Sequence, residues 1–426
     1  MHAKGKIALF KRRESEVRGY CRGFPKLFTK AVGSTMWDAD GRSYIDFLAG
    51  CGSLNYGHNQ PQMKAALLDH IASDGVAMGL DLHTDAKHAF IEAFERVVLA
   101  PRGMDHLMQF TGPTGANAVE AALKLARKVT GRTNVVAFTN GFHGVTAGAL
   151  AVTGSAYNRM SPVMPLAGVT RMPFDGYANG TLDAAGLLET MLADPSGGID
   201  PPAAIIMESV QGEGGLNAAS ADFVRRVAAA AKACGALFIL DDVQAGCGRT
   251  GTFFSHEEMG IDPDIIVLSK SLSGFGLPMS LVLIAPEHDA WSPAEHNGTF
   301  RGNNHAFVTA RVAIERYWND ETFSPAVAER GEMVRERLEE IAGLVPGARL
   351  KGRGMMRGVD VGTGELAGAI CRAAFENGLI IETSGPNDEV VKVLAALNTP
   401  HADLTAGLDM LVDAAERTVR LPVAAE

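Results

Sequence analysis

Lys270 stands at the end of the apolar run Asp264–Ser269, and small residues follow it: Ser271, Ser273, Gly274 and Gly276. An isolated strand-end lysine most often reaches into solvent. A lysine that forms a Schiff base needs partial desolvation and a close approach, which small neighbours permit. Asp241 ends a second apolar run, where an unpaired carboxylate is costly. It reads as a structural cap or ion partner, or as the counter-charge of a protonated pyridine nitrogen, which strengthens such a ring as an electron sink. Thr114-Gly115-Ala116 leads directly into a helix-period segment. That is a common helix start; beside a phosphate it becomes an anion nest at a helix N-terminus. Phe142, flanked by Gly141 and His143-Gly144, reads as core or as a platform on which a planar ring stacks.

These groups act together only if the fold gathers them. The runs Val135–Thr139, Ala203–Val210, Ala236–Val243, Asp264–Lys270 and Met279–Ala285 are near-continuously apolar rather than alternating, as in parallel strands covered on both faces. Helix-period segments lie between several of them. Asn117–Val129 puts Val119, Leu123 and Ala126 on one face, and Ala221–Cys234 is rich in Ala, Val and Arg. The alternation predicts an α/β fold, a mostly parallel central sheet with helices on both faces, over residues 61–310. Chemistry in such a sheet gathers beyond the carboxyl ends of the strands. The residues there are Asn140–Gly144, Gln211–Gly215, Asp241–Gly251 and Ser269–Ser271. Helical patterns at Ala306–Trp318 and Ser324–Leu344, then Leu350–Val361, Gly364–Asn377 and the strand-like Gly378–Thr383, read as a smaller α+β domain over 311–426. Residues 1–60, with the turn Asp38–Gly41 between two short strand-like pieces, form an N-terminal segment expected to join it.

Composition narrows the classes. The 426 residues include 39 Lys+Arg and 49 Asp+Glu, a formal charge of −10, and 46% are hydrophobic. That is a folded globular chain whose acidic balance argues against nucleic acid as a partner. Five scattered cysteines without a CxxC pair offer no disulfide framework or zinc knuckle and fit a reducing compartment. The basic start Met1–Lys6 precedes only the short apolar stretch Ile7–Phe10, too short for a signal peptide, and no stretch approaches a membrane span. A cytoplasmic protein with no membrane partner and no bound metal is expected.

In order, the motifs are small-Gly-small before a helix, Phe142-His143-Gly144, Gln211–Gly215 (QGEGG), DDVQAGCGRTG from Asp241, Ser269-Lys270 and Gly298-Thr299-Phe300. This order and spacing resemble the class-III pyridoxal-phosphate aminotransferases, over nearly the whole chain from MWDADGRSYIDFLAGCGSLNYGHNQP onward. FTGPTGANAVEAALKLARKVTGR, LSKSLSGFGLPMSL, EHNGTFRGNN and GLIIETSGPNDEVVKVL are similar, within that family, to the diaminobutyrate–2-oxoglutarate aminotransferases of ectoine biosynthesis. The resemblance implies a fold-type-I enzyme with pyridoxal 5'-phosphate as cofactor. Lys270 would be the Schiff-base lysine and proton shuttle, and Asp241 the partner of the pyridine nitrogen. Gln244 would reach the ring's phenolic oxygen, Phe142 and Val243 would sandwich the ring, and His143 would lie alongside it. Thr114, Gly115 and Ala116 would hold the phosphate. Thr299 would reach the phosphate of the other subunit's cofactor, so that a homodimer, or a higher homo-oligomer, shares its active sites.

The implied reaction exchanges an amino group between L-2,4-diaminobutyrate and 2-oxoglutarate, giving L-aspartate 4-semialdehyde and L-glutamate; the biosynthetic direction is the reverse. Its rivals are another ω-aminotransferase acting on ornithine, 4-aminobutyrate or putrescine, an aminomutase, and a non-catalytic binding protein on the same scaffold. Several positions depart from the wider family, among them Ala395-Ala396 where Pro-Pro is usual. Asp242 stands where Glu is usual, Val145 where many relatives carry a carboxylate-binding arginine, and Lys392 where an arginine receives the α-carboxylate. Glu213 and Lys392 are expected to form the pair that gates substrate carboxylates. The glycine-rich Gly352–Gly358 lacks the strand–turn–helix context of a dinucleotide fingerprint, and Cys247 reads as packing.

Overall fold

Strands β1 (Phe28–Val32), β2 (Thr35–Asp38) and β3 (Ser43–Asp46) pair antiparallel near the start of the chain. Asp38 shapes the turn between the last two: its Oδ1 accepts the backbone N–H groups of Asp40 and Arg42, each at 3.0 Å. This computed structural model describes residues 3–160 and 165–420, so Met1 and His2 of the basic start lie outside the described residues.

The main sheet begins with β4 (Leu107–Phe110), β5 (Val135–Phe138), β6 (Val169–Met172) and β7 (Ala204–Met207). A short ribbon, β8 (Val210–Gln211) and β9 (Asn217–Ala218), intervenes before β10 (Leu237–Asp241), β11 (Ile265–Leu268) and β12 (Leu281–Ile284). The seven strands lie in the order β4-β12-β11-β10-β7-β5-β6. Six are parallel. The fifth apolar run was expected to be parallel as well, but β12 pairs antiparallel with both β11 and β4. The link from β11 explains this: it holds only a one-turn helix, Lys270–Ser273, too little for the crossover that a parallel return requires. The edge strands β4 and β6 carry weak apolar signals because most of their residues are only partly buried.

Both faces of the sheet are covered. Val135, Ala137, Ile239 and Val267 pack with Ala118, Val119, Ala122 and Leu125 of the helix Gly115–Thr130. Their neighbours Val136, Phe138, Leu240 and Ile266 point the other way, into the larger core that includes Val224 and Val227 of the helix Ala221–Cys234. Period-2 alternation thus splits each apolar run between two dry layers.

The remaining strands are β13 (Arg349–Arg353), β14 (Met356–Asp360), β15 (Leu379–Ile380), β16 (Glu382–Ser384) and β17 (Val390–Val393). Four form an antiparallel sheet ordered β13-β14-β17-β16, covered by the helices Phe323–Leu344 and Gly364–Asn377. The glycine-rich Gly352–Gly358 is the hairpin between β13 and β14. Strand β15 pairs parallel with β3, so the early strands are completed by residues more than 300 positions later. Among the described residues, no helix is long and apolar enough to cross a membrane.

Candidate active site

The carboxyl ends of β4, β5, β7, β10 and β11 open toward the same side of the sheet, and each delivers side chains there. After β4, Thr114 caps the helix Gly115–Thr130, its hydroxyl accepting the N–H of Asn117 at 3.2 Å. The first turn of that helix therefore faces outward with free backbone donors. A Cβ on Gly115 would meet Val243 Cγ1 at 2.9 Å, and one on Gly144, whose φ is +127°, would meet Ala116 Cβ at 2.6 Å. Glycine is needed at both positions to bring the helix start against Val243 and the loop after β5.

That loop carries Phe142, half-buried, and His143, buried. His143 Nδ1 lies 2.7 Å from Asp241 Oδ2 at the end of β10, and Asp241 Oδ1 accepts the N–H of Val243 at 3.1 Å. Burial alone would lower the pKa of His143, but the hydrogen bond and charge of Asp241 outweigh it and hold it up. Glu208, after β7, accepts the N–H of Phe142 at 2.9 Å and that of Gly212 at 3.1 Å, and burial pushes its pKa up to about 7. It ties the Phe142 loop to the Gly212–Gly214 segment. Sequence reading passed it over, although it ends an apolar run just as Asp241 does.

Lys270 follows β11 with φ of +46°, a left-handed conformation that costs a non-glycine residue about 1–3 kcal/mol and recurs where a side chain must be aimed. Among the described residues its amine makes no hydrogen bond and no ion pair. It is half-buried beside charged neighbours.

Those neighbours form a second group. Lys392, fully buried on β17, places its ammonium 3.0 Å from Glu213 Oε1 and 2.8 Å from Glu382 Oε1. The expected Glu213–Lys392 pair is present, and Glu382 is an addition that the sequence reading did not name. Gln244 Nε2 lies 3.2 Å from Glu213 Oε1, and Cys51 Sγ is 3.6 Å from the same oxygen. Burial raises the pKa of Glu213, but Lys392 and Lys270 overcome it and hold it down to about 2. Burial likewise opposes the charge on Lys392, and the two carboxylates more than restore it. Cys51, Glu213 and Glu382 have potential ligand atoms close together, but the Lys392 ammonium contacts both carboxylates, which marks a charge cluster rather than a metal site.

Other expected positions stand apart. Thr299 is exposed in a single turn, Thr299–Gly302; its neighbour Gly298 packs on Gly112, just ahead of the Thr114 cap. Val145 is 61% exposed. Asp242 is buried under the loop, accepting the N–H of Ser255 at 3.0 Å. Cys247 is buried in the core, and burial drives its thiol pKa far up, as suits a packing role.

Comparison with known proteins identifies the group. The family profile for class-III aminotransferases matches residues 21–415. The chain belongs to the class-III aminotransferases. Its relatives include the diaminobutyrate–2-oxoglutarate transaminase of Vibrio parahaemolyticus, 53% identical over 96% of this chain and 97% of that protein. The transaminase of the same name from Halomonas elongata is 52% identical over 95% and 97%. Among solved structures, the ornithine aminotransferase of Toxoplasma gondii superposes with a TM-score of 0.83 at 24% identity, covering 97% of this chain and 94% of that one. A transaminase from the marine bacterium Virgibacillus gives 0.86 at 18%, covering 98% and 99%. At such identities these structures speak to the fold, which is fold-type I.

As a class-III aminotransferase, the protein uses pyridoxal 5'-phosphate and acts on small amino and keto acids. The residues present fit that cofactor. They offer an unpaired lysine amine, a buried carboxylate at a strand end, a helix start pressed close by glycines, and Gln244 Oε1, a buried acceptor with no partner.

Proposed function

We propose that this aminotransferase exchanges the terminal amino group of L-2,4-diaminobutyrate with 2-oxoglutarate, running from glutamate toward diaminobutyrate in biosynthesis, and that its pathway leads to ectoine. The unpaired Lys270 amine beside the Lys392–Glu213 pair is the observation that carries the reading. Identity above 50% to transaminases named for this substrate supports it.

When bound, pyridoxal phosphate supplies a carbonyl carbon for Schiff-base exchange and a ring that accepts electron density. Phe142 and Val243 would flank that ring, and Thr114, Gly115 and Ala116 would hold the phosphate at the helix start. Asp241 would face the pyridine nitrogen, with His143 holding its carboxylate in place, and Gln244 would reach the phenolic oxygen. Lys270 Nζ takes the proton from the substrate carbon that bears the nitrogen and passes it on. Glu213 covers Lys392 while the diamine is bound and releases it to a keto-acid carboxylate in the second half of the cycle. Val145 offers no grip to a carboxylate, which disfavours donors that depend on one there.

We further propose that residues 61–310 form the cofactor-binding domain and that 1–60 join 311–426 in the smaller one, as the pairing of β3 with β15 suggests. The working unit is then a homodimer in which Thr299 serves the partner's cofactor. A donor panel with 2-oxoglutarate as acceptor tests the substrate assignment. Diaminobutyrate should exceed ornithine and 4-aminobutyrate by at least about tenfold in kcat/KM, the lower end of what one lost charged contact costs. Equal or faster turnover of ornithine overturns it.

A further inference from the structure

We propose that Glu382, together with Glu213, binds the spectator α-ammonium of the amino donor, making this cluster the point at which a diamine is told from a plain ω-amino acid. The inference rests on the donor assignment above and adds a residue to it.

The charge count comes first. Two carboxylates share one ammonium, so Glu213, Glu382 and Lys392 together carry −1. Both acids spend the same oxygen, Oε1, on Lys392. Among the described residues the Oε2 of neither accepts a hydrogen bond, and the two side chains are 32% and 11% exposed, so both can be reached. Gln244 braces Glu213 through Nε2 at 3.2 Å, which fixes the position of Oε1 and leaves the other carboxylate oxygen to be met by a ligand. Two open carboxylate oxygens and one uncompensated negative charge match an ammonium, which brings hydrogen-bond donors and one positive charge. Burial raises the pKa of Glu382 against the pull of Lys392, so a second cation would relieve it. Tyr20 is 52% exposed overall, but local burial of its hydroxyl and the charges of Glu382, Cys51 and Glu213 push its pKa up, which puts it in the same surroundings.

The cluster lies within electrostatic reach of Lys270, whose charge acts on Glu213, Glu382 and Cys51. Diaminobutyrate bound through its terminal amine carries its second amine two carbons from the reacting centre. In 4-aminobutyrate that position is a bare methylene, and a cluster of charge −1 gains nothing from it. Glutamate, the other substrate of the cycle, presents a carboxylate next to the reacting carbon, and it is Lys392, not the acids, that must answer it. Glu382 stays on Lys392 when Glu213 moves away, so the lysine is never left buried without a counter-charge.

The test uses the wild-type holoenzyme and a neutral isostere, 4-amino-2-hydroxybutyrate, which keeps the length of diaminobutyrate and replaces the ammonium with a hydroxyl. The wild type should prefer diaminobutyrate by about 10- to 150-fold in kcat/KM, the range for one charged hydrogen bond. Glu382→Gln should shrink that preference by roughly tenfold. Should this variant not fold, Glu382→Asp, which keeps the charge but draws it back, should still reduce the preference. Equal turnover of the two donors by the wild type overturns the inference, as does a folded, active Glu382 variant with the full preference. Faster turnover of ornithine than of diaminobutyrate instead contradicts the donor assignment, so the two failures are distinguishable.

Discussion

His143 Nδ1 and Asp241 Oδ2 are 2.7 Å apart, both side chains buried, at the point where β5 and β10 end side by side across β7. The imidazole fixes one carboxylate oxygen and the Val243 amide fixes the other, so the charge of Asp241 is held in one orientation. Asp241→Asn keeps the shape and removes the charge. Its kcat should fall on the order of 10²-fold or more, with proton abstraction becoming limiting. Substrate deuterated at the reacting carbon reads this out as a larger isotope effect; wild-type rates would reduce Asp241 to a structural cap.

Lys392 is the only cation contacting Glu213 or Glu382 among the described residues. Lys392→Met leaves two half-buried carboxylates facing each other without a counter-charge, and because water reaches both, the cost should stay below the about 3–5 kcal/mol of breaking a fully buried pair. Denaturant unfolding should show the loss, and adding Glu382→Gln to the same chain should recover part of it. An unchanged midpoint for Lys392→Met would mean that the ion pairs do not form.

Thr299 is exposed, and its neighbour Gly298 packs on Gly112 of its own chain, so the shared site needs its own test. Losing one hydrogen bond to a charged phosphate costs about 1.5–3 kcal/mol. Thr299→Val should therefore release cofactor roughly 10- to 150-fold more readily. Mixing Lys270→Ala chains with Thr299→Val chains at limiting cofactor distinguishes the geometries. If Thr299 crosses, each mixed dimer regains one intact site and activity returns; if it serves its own chain, both sites stay defective.

Asp242 supplies a pH test of stability. Burial pushes its pKa up to about 7, whereas an unfolded aspartate titrates near 3.9. The folded chain keeps a proton that the unfolded chain loses between these values. This group's contribution is therefore full below about pH 3.9 and is lost as pH rises through about 7. The shift corresponds to about 4 kcal/mol as an upper bound. Asp242→Asn cannot ionise, so its Tm should fall less than that of the wild type between pH 5 and pH 8. Parallel profiles would contradict the assignment.

Much of this site can be read from residue order because a doubly wound sheet sends its strand ends to one edge. Lys270, Asp241, Phe142 and the Thr114 cap each follow an apolar run or open a helix, and local pattern marks them. The direction of β12 was also readable, in the short link after Lys270, but continuous apolarity outweighed it. Glu382 is different in kind. It faces Lys392 through the β16–β17 register, Glu382 opposite Lys392 and Ser384 opposite Val390, around the turn at Gly385–Glu389. The turn signal Gly385-Pro386-Asn387-Asp388 could have set that register, but the meeting with Glu213 depends on packing between two sheets, which no local pattern encodes. Cys51 and Tyr20 reach the cluster in the same way.

Covalent trapping of the cofactor tests the central claim, that Lys270 is the reacting amine, most directly. Borohydride reduction of the holoenzyme followed by peptide mapping should place the label on Lys270 alone, and Lys270→Ala should bind cofactor without being labelled. A label on any other lysine of the wild-type chain would contradict the account.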